Sequence, residues 1–236
     1  MKNRIVHEFN EKGCLLYSES FIGTYTRGAS LENALKKFPD EIRRYCLWAN
    51  LVPPADGIEH LIIQTWESGL KIEDADTEVI FNSEKQPLMR KEYDYLKSLV
   101  MKSAQDFQTL FESIPDKNKT TLPERKTFYG DVPRTAHEMH EHANGVAHYY
   151  FGEIGVEIEN QDDIVVARQH GFDKLEEQAD FLLSSTTKGS YDEYWSLRKV
   201  LRRFIWHDRI HAKAMSRMAI KTWSDAEIED PFCFGK

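Results

Sequence analysis

Two histidines near the carboxyl end of the chain have the spacing of a metal-binding pair. His207 and His211 are four residues apart and interrupt an apolar stripe that recurs at helical intervals across residues 197–218. Histidines with this separation lie on one face of a helix, one turn apart, so both rings can reach a single ion. The pattern therefore predicts a pair of metal ligands that faces a helical core.

A third histidine, His142, interrupts the apolar stripe of another predicted helix. It lies one turn after Met139 and on the same side of the helix as Tyr149. The remaining histidines of this segment point in other directions around the helix and are set aside: His137, His140 and His148. Helix phase therefore selects His142, and we predict that it joins His207 and His211 in one site.

Three buried imidazoles that face one interior favour a divalent cation. Each ring nitrogen needs a partner when it is buried, and three rings satisfy each other poorly. Neutral imidazole is a good ligand for zinc, nickel, iron or copper. Three protein nitrogens leave at least one coordination position for water, which is typical of catalytic sites. The sequence identifies no catalytic acid or base.

Two acidic residues beside the predicted ligands have two interpretations each. Asp208 follows His207 in the sequence, and Glu138 lies one turn before His142. Each is either a solvated salt-bridge partner or an acceptor for the ring N–H of a ligand. Helix phase does not settle whether Asp208 faces the interior, so its simpler interpretation, a solvated salt-bridge partner, is favoured.

Other conspicuous side chains have mainly structural interpretations. Four aromatic residues near the stripes are predicted to pack in the core, and the two tyrosines could alternatively line a pocket near the metal: Tyr149, Tyr150, Trp195 and Trp206. Four cations are interpreted as a solvated helix face: Arg198, Lys199, Arg202 and Arg203. Cys233 is interpreted as a small apolar residue that closes one end of the helices, with a reactive thiol as the alternative.

Composition and charge exclude several classes of protein. The formal net charge of −8 over 236 residues argues against a nucleic-acid binder. Three distant cysteines without a C-x-x-C pair fit a reducing cytoplasm better than a disulfide scaffold. No apolar run approaches the ~20 residues that cross a bilayer, and no basic-then-apolar leader opens the chain. We therefore expect a cytoplasmic protein that binds neither nucleic acid nor membrane.

The first third of the chain is predicted to form strands and a helix. The β-prone stretches are residues 4–9, 14–20, 23–27 and 60–66, with a further short strand at 77–81. Residues 11–13 are typical of a hairpin turn between the first two strands. Ser30 is a predicted N-cap, and Pro39 is expected to kink or break the helix that follows.

Four long amphipathic helices are predicted in the remainder. They cover residues 89–111, 131–150, 164–183 and 191–222, and Gly171 is a weak point in the third. Long helices with modest connections favour a bundle. We therefore predict an α+β fold of two domains, a small sheet-plus-helix domain over residues 1–86 and a four-helix bundle over residues 87–236.

The carboxyl-terminal part resembles the DinB/YfiT-like family of metalloenzymes. The resemblance covers residues 87–222 and rests on TAHEMHEHANGVAHYY at residues 135–150 and FIWHDRIHAKAMSRM at residues 204–218. It implies a four-helix bundle with one histidine on the second helix and an H-x-x-x-H pair near the end, here His142, His207 and His211. It further implies zinc or nickel as the ion, a low-molecular-weight thiol as co-substrate, and a homodimer.

The segment GTYTRGASLENALKKFPDEIRRYCLW, residues 23–48, resembles a HicB-type domain. HicB proteins are antitoxins built on a small sheet-plus-helix fold, and they often carry a separate DNA-binding segment. No ribbon-helix-helix or helix-turn-helix segment is recognisable in this chain. The resemblance therefore implies an accessory or partner-binding module.

Two functions of different classes follow from these patterns. The leading hypothesis is a metal-dependent enzyme that acts on a small-molecule substrate, with thiol-dependent transferase or hydrolase chemistry at the open metal position. The alternative is a non-catalytic, antitoxin-like protein-binding module that is carried on a helical scaffold.

Overall fold

The computed structural model describes residues 1–55, 57–127, 130–159, 161–183, 186–224 and 226–235. The strands there are β1 (Lys2–Asn10), β2 (Gly13–Ser18), β3 (Tyr25–Gly28), β4 (Glu59–Glu67), β5 (Lys126–Thr127), β6 (Gly130–Asp131), β7 (Thr187–Lys188) and β8 (Tyr194–Trp195). The α-helices are α1 (Leu31–Leu35), α2 (Phe38–Trp48), α3 (Arg90–Ser113), α4 (Ala136–Gly152), α5 (Ile164–Glu176) and α6 (Leu197–Thr222). The fold is of the α+β class, as predicted.

Strands β1–β4 form one sheet, in which β2 is covered on both faces and the edge strand β4 is largely exposed. The strand order is β3-β2-β1-β4, with β1 and β4 parallel and the other pairs antiparallel. Because side chains alternate along a strand, Ile5 and Leu16 enter one hydrophobic cluster while Val6 and Tyr17 enter another. Every residue of β2 is buried, as expected for a strand between two packed layers.

The four main strands predicted in the first third are present, and the predicted turn joins β1 to β2. The helix expected after Ser30 is in fact two helices. The Ser30 hydroxyl accepts from the N–H of Asn33 and starts α1, which ends at Leu35. Pro39 lies in the first turn of α2, where its missing N–H costs little. The helix is therefore broken before Pro39, which is one of the two predicted outcomes, and Pro39 lies in the first turn of the second helix.

The strand predicted at residues 77–81 is absent, because its backbone groups bind side chains instead of a neighbouring strand. The N–H groups of Glu78 and Val79 donate to Glu8 Oε1 on β1, at 3.0 and 3.3 Å. Glu8 is fully buried, and its second carboxylate oxygen accepts from the hydroxyl of Thr77. A buried carboxylate thus replaces the expected strand partner.

The carbonyl groups of the same segment accept hydrogen bonds from three cations of α6. The bonds run from Lys199 Nζ to Glu78 at 2.7 Å, from Arg202 Nη2 to Val79 at 3.0 Å and from Arg203 Nη1 to Thr77 at 3.0 Å. The prediction of a solvated helix face is therefore wrong for these three cations, which are buried. Arg198 stays partly exposed and pairs with Glu92.

The four helices α3–α6 pack on one another, with α6 against α3 and α4, and α5 against the same two helices. Three predicted boundaries differ from the structure. The side chain of Thr135 caps α4, which therefore begins at Ala136. In the same way Ser196 caps α6, which begins at Leu197. The third helix, α5, ends at Glu176, before the predicted end.

One hydrophobic cluster continues from the sheet into the helices and includes Ile5 of β1, Ile42 of α2 and Phe204 of α6. Gly23, with a φ of 95°, lies against α6 at a point where a Cβ would be 2.3 Å from Ile205 Cγ2. Only glycine permits both the backbone angle and the approach. The two predicted units thus share buried contacts, and the boundary at residue 86 stays a prediction.

Candidate metal centre

A capping box fixes the start of α4 and accounts for the role of the Glu138 side chain. The hydroxyl of Thr135 accepts from the N–H of Glu138, and Glu138 Oε2 accepts from the N–H groups of Thr135 and Arg134 at 3.1 and 2.8 Å. The Arg134 and Thr135 amides lower the pKa of this carboxyl, although partial desolvation opposes them. Glu138 is therefore a capping residue, and it sets the point from which His142 is counted along the helix.

Helix α6 carries the other two histidines in its middle, well away from frayed ends. Its N-cap, Ser196, accepts from the N–H of Lys199 at 3.2 Å. His207 and His211 are separated by one turn, and their ring centroids are 4.4 Å apart. Because α6 packs against α4, this face of the helix meets His142.

The structure brings the three predicted histidines together. One potential ligand nitrogen from each of His142, His207 and His211 lies within 4.8 Å of the others. His142 Nε2 and His207 Nε2 are 3.1 Å apart. The ring centroid of His142 is 4.6 Å from that of His211. The donors thus converge from two helices on one small volume.

All three imidazoles are held in the neutral form that binds metals. Burial lowers the pKa of His142, and it lowers that of His211 to about 3 with a further contribution from His142. Burial also depresses the pKa of His207 strongly, and His211, His142, Arg203 and Arg168 add to the effect. Neutral rings keep a free lone pair at neutral pH.

The donor set fits a borderline divalent ion. Tetrahedral ligands at about 2.0–2.1 Å from one ion are about 3.3–3.4 Å apart. His142 Nε2 and His207 Nε2, at 3.1 Å, are already close to this separation, and the wider separations, which are within 4.8 Å, close with side-chain shifts of up to about 1.5 Å. Nitrogen-only donors favour zinc, nickel, copper or iron over magnesium or calcium, which prefer oxygen. A metal-bound histidine usually donates its second ring N–H to a nearby acceptor. His207 Nδ1 is buried and has no such partner among the described residues.

The three histidines range from exposed to buried, which leaves one side of the cluster open. His142 is exposed, His211 is half-buried and His207 is buried. His142 also lines a cavity of about 610 Å³ together with Arg125, Arg134 and Glu141. This volume lies in the range of pockets that hold small molecules. Solvent and small ligands can therefore approach the cluster from the side of His142.

Asp208 is a salt-bridge partner, but it is not solvated. Its oxygens accept from Arg168 Nη2 at 2.9 Å and Nη1 at 3.2 Å, and both side chains are fully buried. Burial raises the pKa of Asp208, and the Arg168 guanidinium opposes the rise. The carboxylate thus serves α5–α6 packing and is not bonded to the histidines.

The histidines that were set aside have other partners. His140 Nε2 donates to Gln108 Oε1 at 2.8 Å, and His148 Nδ1 donates to the carbonyl of Ile158 at 2.7 Å. His137 is exposed and lies 3.4 Å from Glu141. None of the three shares the cluster that His142 joins.

The aromatic residues near the stripes are core residues, as predicted. Trp195, Trp206 and Tyr150 are buried, and Tyr149 is half-buried against Trp195. Tyr150 also contacts His207 edge-on, with ring centroids 6.0 Å apart. It therefore forms part of the wall of the cluster as well as of the core.

Some residues around the cluster are missed by sequence reasoning. Arg168 lies on the buried side of α5 with Ile164 and Leu175, so a cation in an apolar stripe was a usable signal of a buried counter-ion. Arg125 and Arg134 come from the connection before α4, which has no periodicity. No pattern in the sequence indicates that these two arginines lie beside His142.

Comparisons with family models, with curated proteins and with solved structures give no match to this chain. The two family resemblances therefore stay predictions. Within the described residues, no helix combines the length and the apolarity needed to cross a membrane.

Proposed function

We propose that this protein is a metal-dependent enzyme of the DinB/YfiT-like type, which holds zinc or nickel through His142, His207 and His211. The observation that carries the proposal is the convergence of three neutral imidazoles within 4.8 Å, from two helices that pack on each other. Placing the buried ring of His207 against two further imidazoles is unfavourable unless a cation binds them. A cluster that serves only stability would be replaced more favourably by apolar side chains.

The proposed reaction class is a transfer or a hydrolysis that uses a small thiol or water as nucleophile. A bound ion of this kind lowers the pKa of coordinated water or thiol and polarises a substrate carbonyl. The chain's own contribution is to position the ligands: His207 is buried in the middle of α6 with Tyr150 packed edge-on against it, and His211 is half-buried one turn later. The exposed His142 leaves the nucleophile's side open.

The cavity beside His142 supports a small polar substrate. Three cations and four carboxylates line it, among them Arg125, Arg134, Glu138 and Glu141. Arg125 and Arg134 are already paired, with Asp74 at 3.0 Å and Glu124 at 2.9 Å, and both pairs are partly solvated. Partly solvated pairs are weak, so a substrate carboxylate or carbonyl can compete for the guanidinium groups.

The experiment is a thiol titration of the protein loaded with cobalt(II), which reports its ligands by absorbance. We expect a thiolate-to-metal charge-transfer band on addition of 2-mercaptoethanol or cysteine, because three protein ligands leave a position open. His137→Ala, a histidine outside the cluster, should behave like wild type, and His211→Ala should lose the band. Cobalt binding without any response to thiol would contradict the thiol-dependent form of the proposal, and absence of cobalt binding would contradict the metal site itself.

A further inference from the structure

A second polar cavity lies on the other side of α6, between that helix, β3 and α2. It has a volume of about 410 Å³, and six cations but only two carboxylates line it. The cations come from four elements or their connections: Arg27, Lys36, Lys37, Arg44, Lys213 and Arg217. The chain as a whole carries a net charge of −8, so this concentration of positive charge is local.

The two carboxylates of this cavity are already neutralised. Glu41 is buried, and its oxygens accept from Arg209 Nη2 at 2.8 Å and from Lys213 Nζ at 2.9 Å. Asp40 pairs with Arg43, which is outside the cavity lining, at 2.6 Å. The carboxylates therefore leave most of the positive charge uncompensated.

The remaining cations are available to a ligand. Lys37 Nζ donates to the carbonyl of Arg27 at 2.6 Å, and Lys36 has one exposed ion pair, with Glu32. Arg44 and Arg217 form no ion pair with any carboxylate of the described residues. Two guanidinium groups thus stand on facing elements, α2 and α6, without an anionic partner.

This cavity is independent of the histidine cluster. Lys213 is two residues beyond His211, and residues two apart on a helix point to nearly opposite sides. The contacts agree: His211 packs on His142 of α4, whereas Lys213 binds Glu41 of α2. The inference therefore does not rest on metal binding.

We propose that this cavity binds a small molecule that carries phosphate groups. A cluster of like charges is unfavourable unless an anion occupies it, and a phosphate is a compact dianion with several acceptor oxygens. Arginine presents a planar fork of donors that matches phosphate oxygens, and Arg44 and Arg217 can approach from two sides. The basic lining is confined to one open cavity between α2, β3 and α6, whereas a nucleic-acid backbone requires an extended basic surface.

The test is isothermal titration calorimetry of the full chain at constant ionic strength. The probes are inorganic phosphate, pyrophosphate and ADP. We expect saturable, one-to-one binding of pyrophosphate or ADP with a dissociation constant below about 1 mM. If inorganic phosphate binds as tightly as ADP, the ligand of this cavity is the free phosphate anion. Tighter binding of ADP identifies an organic phosphate.

The variant Arg44→Gln/Arg217→Gln should weaken pyrophosphate binding at least about tenfold, because two charge-assisted hydrogen-bonding groups are removed. The matched control is Arg4→Gln/Arg90→Gln, which removes the same charge from exposed arginines outside the cavity and should change binding less than about twofold. Equal loss in both variants, or no saturable binding by any probe, would overturn the proposal. Binding of a single-stranded RNA oligonucleotide without binding of the small anions would overturn it as well. The metal content of the test variant should equal that of wild type.

Discussion

His142 Nε2 and His207 Nε2 face each other at 3.1 Å across the packed surfaces of α4 and α6. Both rings are neutral at pH 7, since burial lowers the pKa of each. In the metal-free protein one Nε2 must therefore carry a proton and donate it to the other. A cation that binds both lone pairs displaces this proton, so metal binding and helix packing act on the same contact.

The metal-free protein should lose stability as the pH falls below 6.5. His211 has a pKa of about 3 in the folded chain against an ordinary value of 6.5, so the unfolded state takes up a proton that the folded state cannot. The stabilisation is present above pH 6.5 and is lost towards pH 3. At pH 5 the loss is up to about 2 kcal/mol for this histidine.

Urea unfolding in the presence of EDTA, at pH 7.5 and at pH 5, measures this loss. The variant His211→Gln cannot titrate at this position and should show a flatter pH dependence. An unchanged slope between wild type and variant would show that His211 does not titrate as its burial demands.

Added zinc should raise the thermal midpoint of unfolding of the metal-free protein. A ligand at 100 times its dissociation constant stabilises the folded state by about 2.7 kcal/mol. Differential scanning fluorimetry with and without zinc measures the shift. His137→Ala, whose side chain is exposed and outside the cluster, should shift like wild type, and His207→Ala should shift far less. Equal shifts in the two variants would place the ion elsewhere.

Asp208→Ala should destabilise the fold by about 3–5 kcal/mol, because it leaves Arg168 buried without its counter-ion. The double variant Arg168→Met/Asp208→Leu should recover most of this loss, since it removes both charges. Urea unfolding measures the free energies. The double variant should also bind metal as wild type does. Loss of metal with unchanged stability in Asp208→Ala would instead assign this carboxylate to the metal site.

Gly171→Ala should destabilise the fold by about 1–3 kcal/mol, because a Cβ at this position would lie 2.0 Å from Phe151 Cε2. Gly171 thus allows α5 to approach α4 closely, which is why the helix tolerates it. The matched control is Gly145→Ala on α4, where nothing lies within 4 Å of the added Cβ and a gain of about 0.5–1 kcal/mol is expected. Equal effects of the two substitutions in thermal unfolding would refute the packing role of Gly171.

Helix phase predicts only part of the histidine cluster. His207 and His211 interrupt the apolar stripe of α6, and the structure brings both to the cluster. On α4 the phase is misjudged, because His140, which was set aside, is buried, whereas His142 is exposed and reaches the cluster from the edge of the packed face. The same reasoning predicts the α+β class, since period-two and period-3.6 segments occupy different parts of the chain.

Polar partners that are distant in the sequence cannot be predicted from helix phase or strand composition. Residues 77–81 have the composition of a strand, but their amides bind Glu8 and their carbonyl groups bind cations of α6. Both partners are distant in the sequence, so no local sequence pattern indicates these contacts. The same contacts bury Lys199, Arg202 and Arg203, whose charge alone suggested a solvated face. Burial of a charge depends on a partner that only the tertiary structure supplies.

Metal content of the protein purified without added metal tests the central claim most directly. We expect close to one equivalent of zinc or nickel per chain in wild type and in His137→Ala, measured by inductively coupled plasma mass spectrometry. His207→Ala and His211→Ala should hold only trace metal, with circular dichroism showing that both remain folded. Equal trace amounts in all four proteins, or full occupancy in the two cluster variants, would contradict a metal centre at His142, His207 and His211.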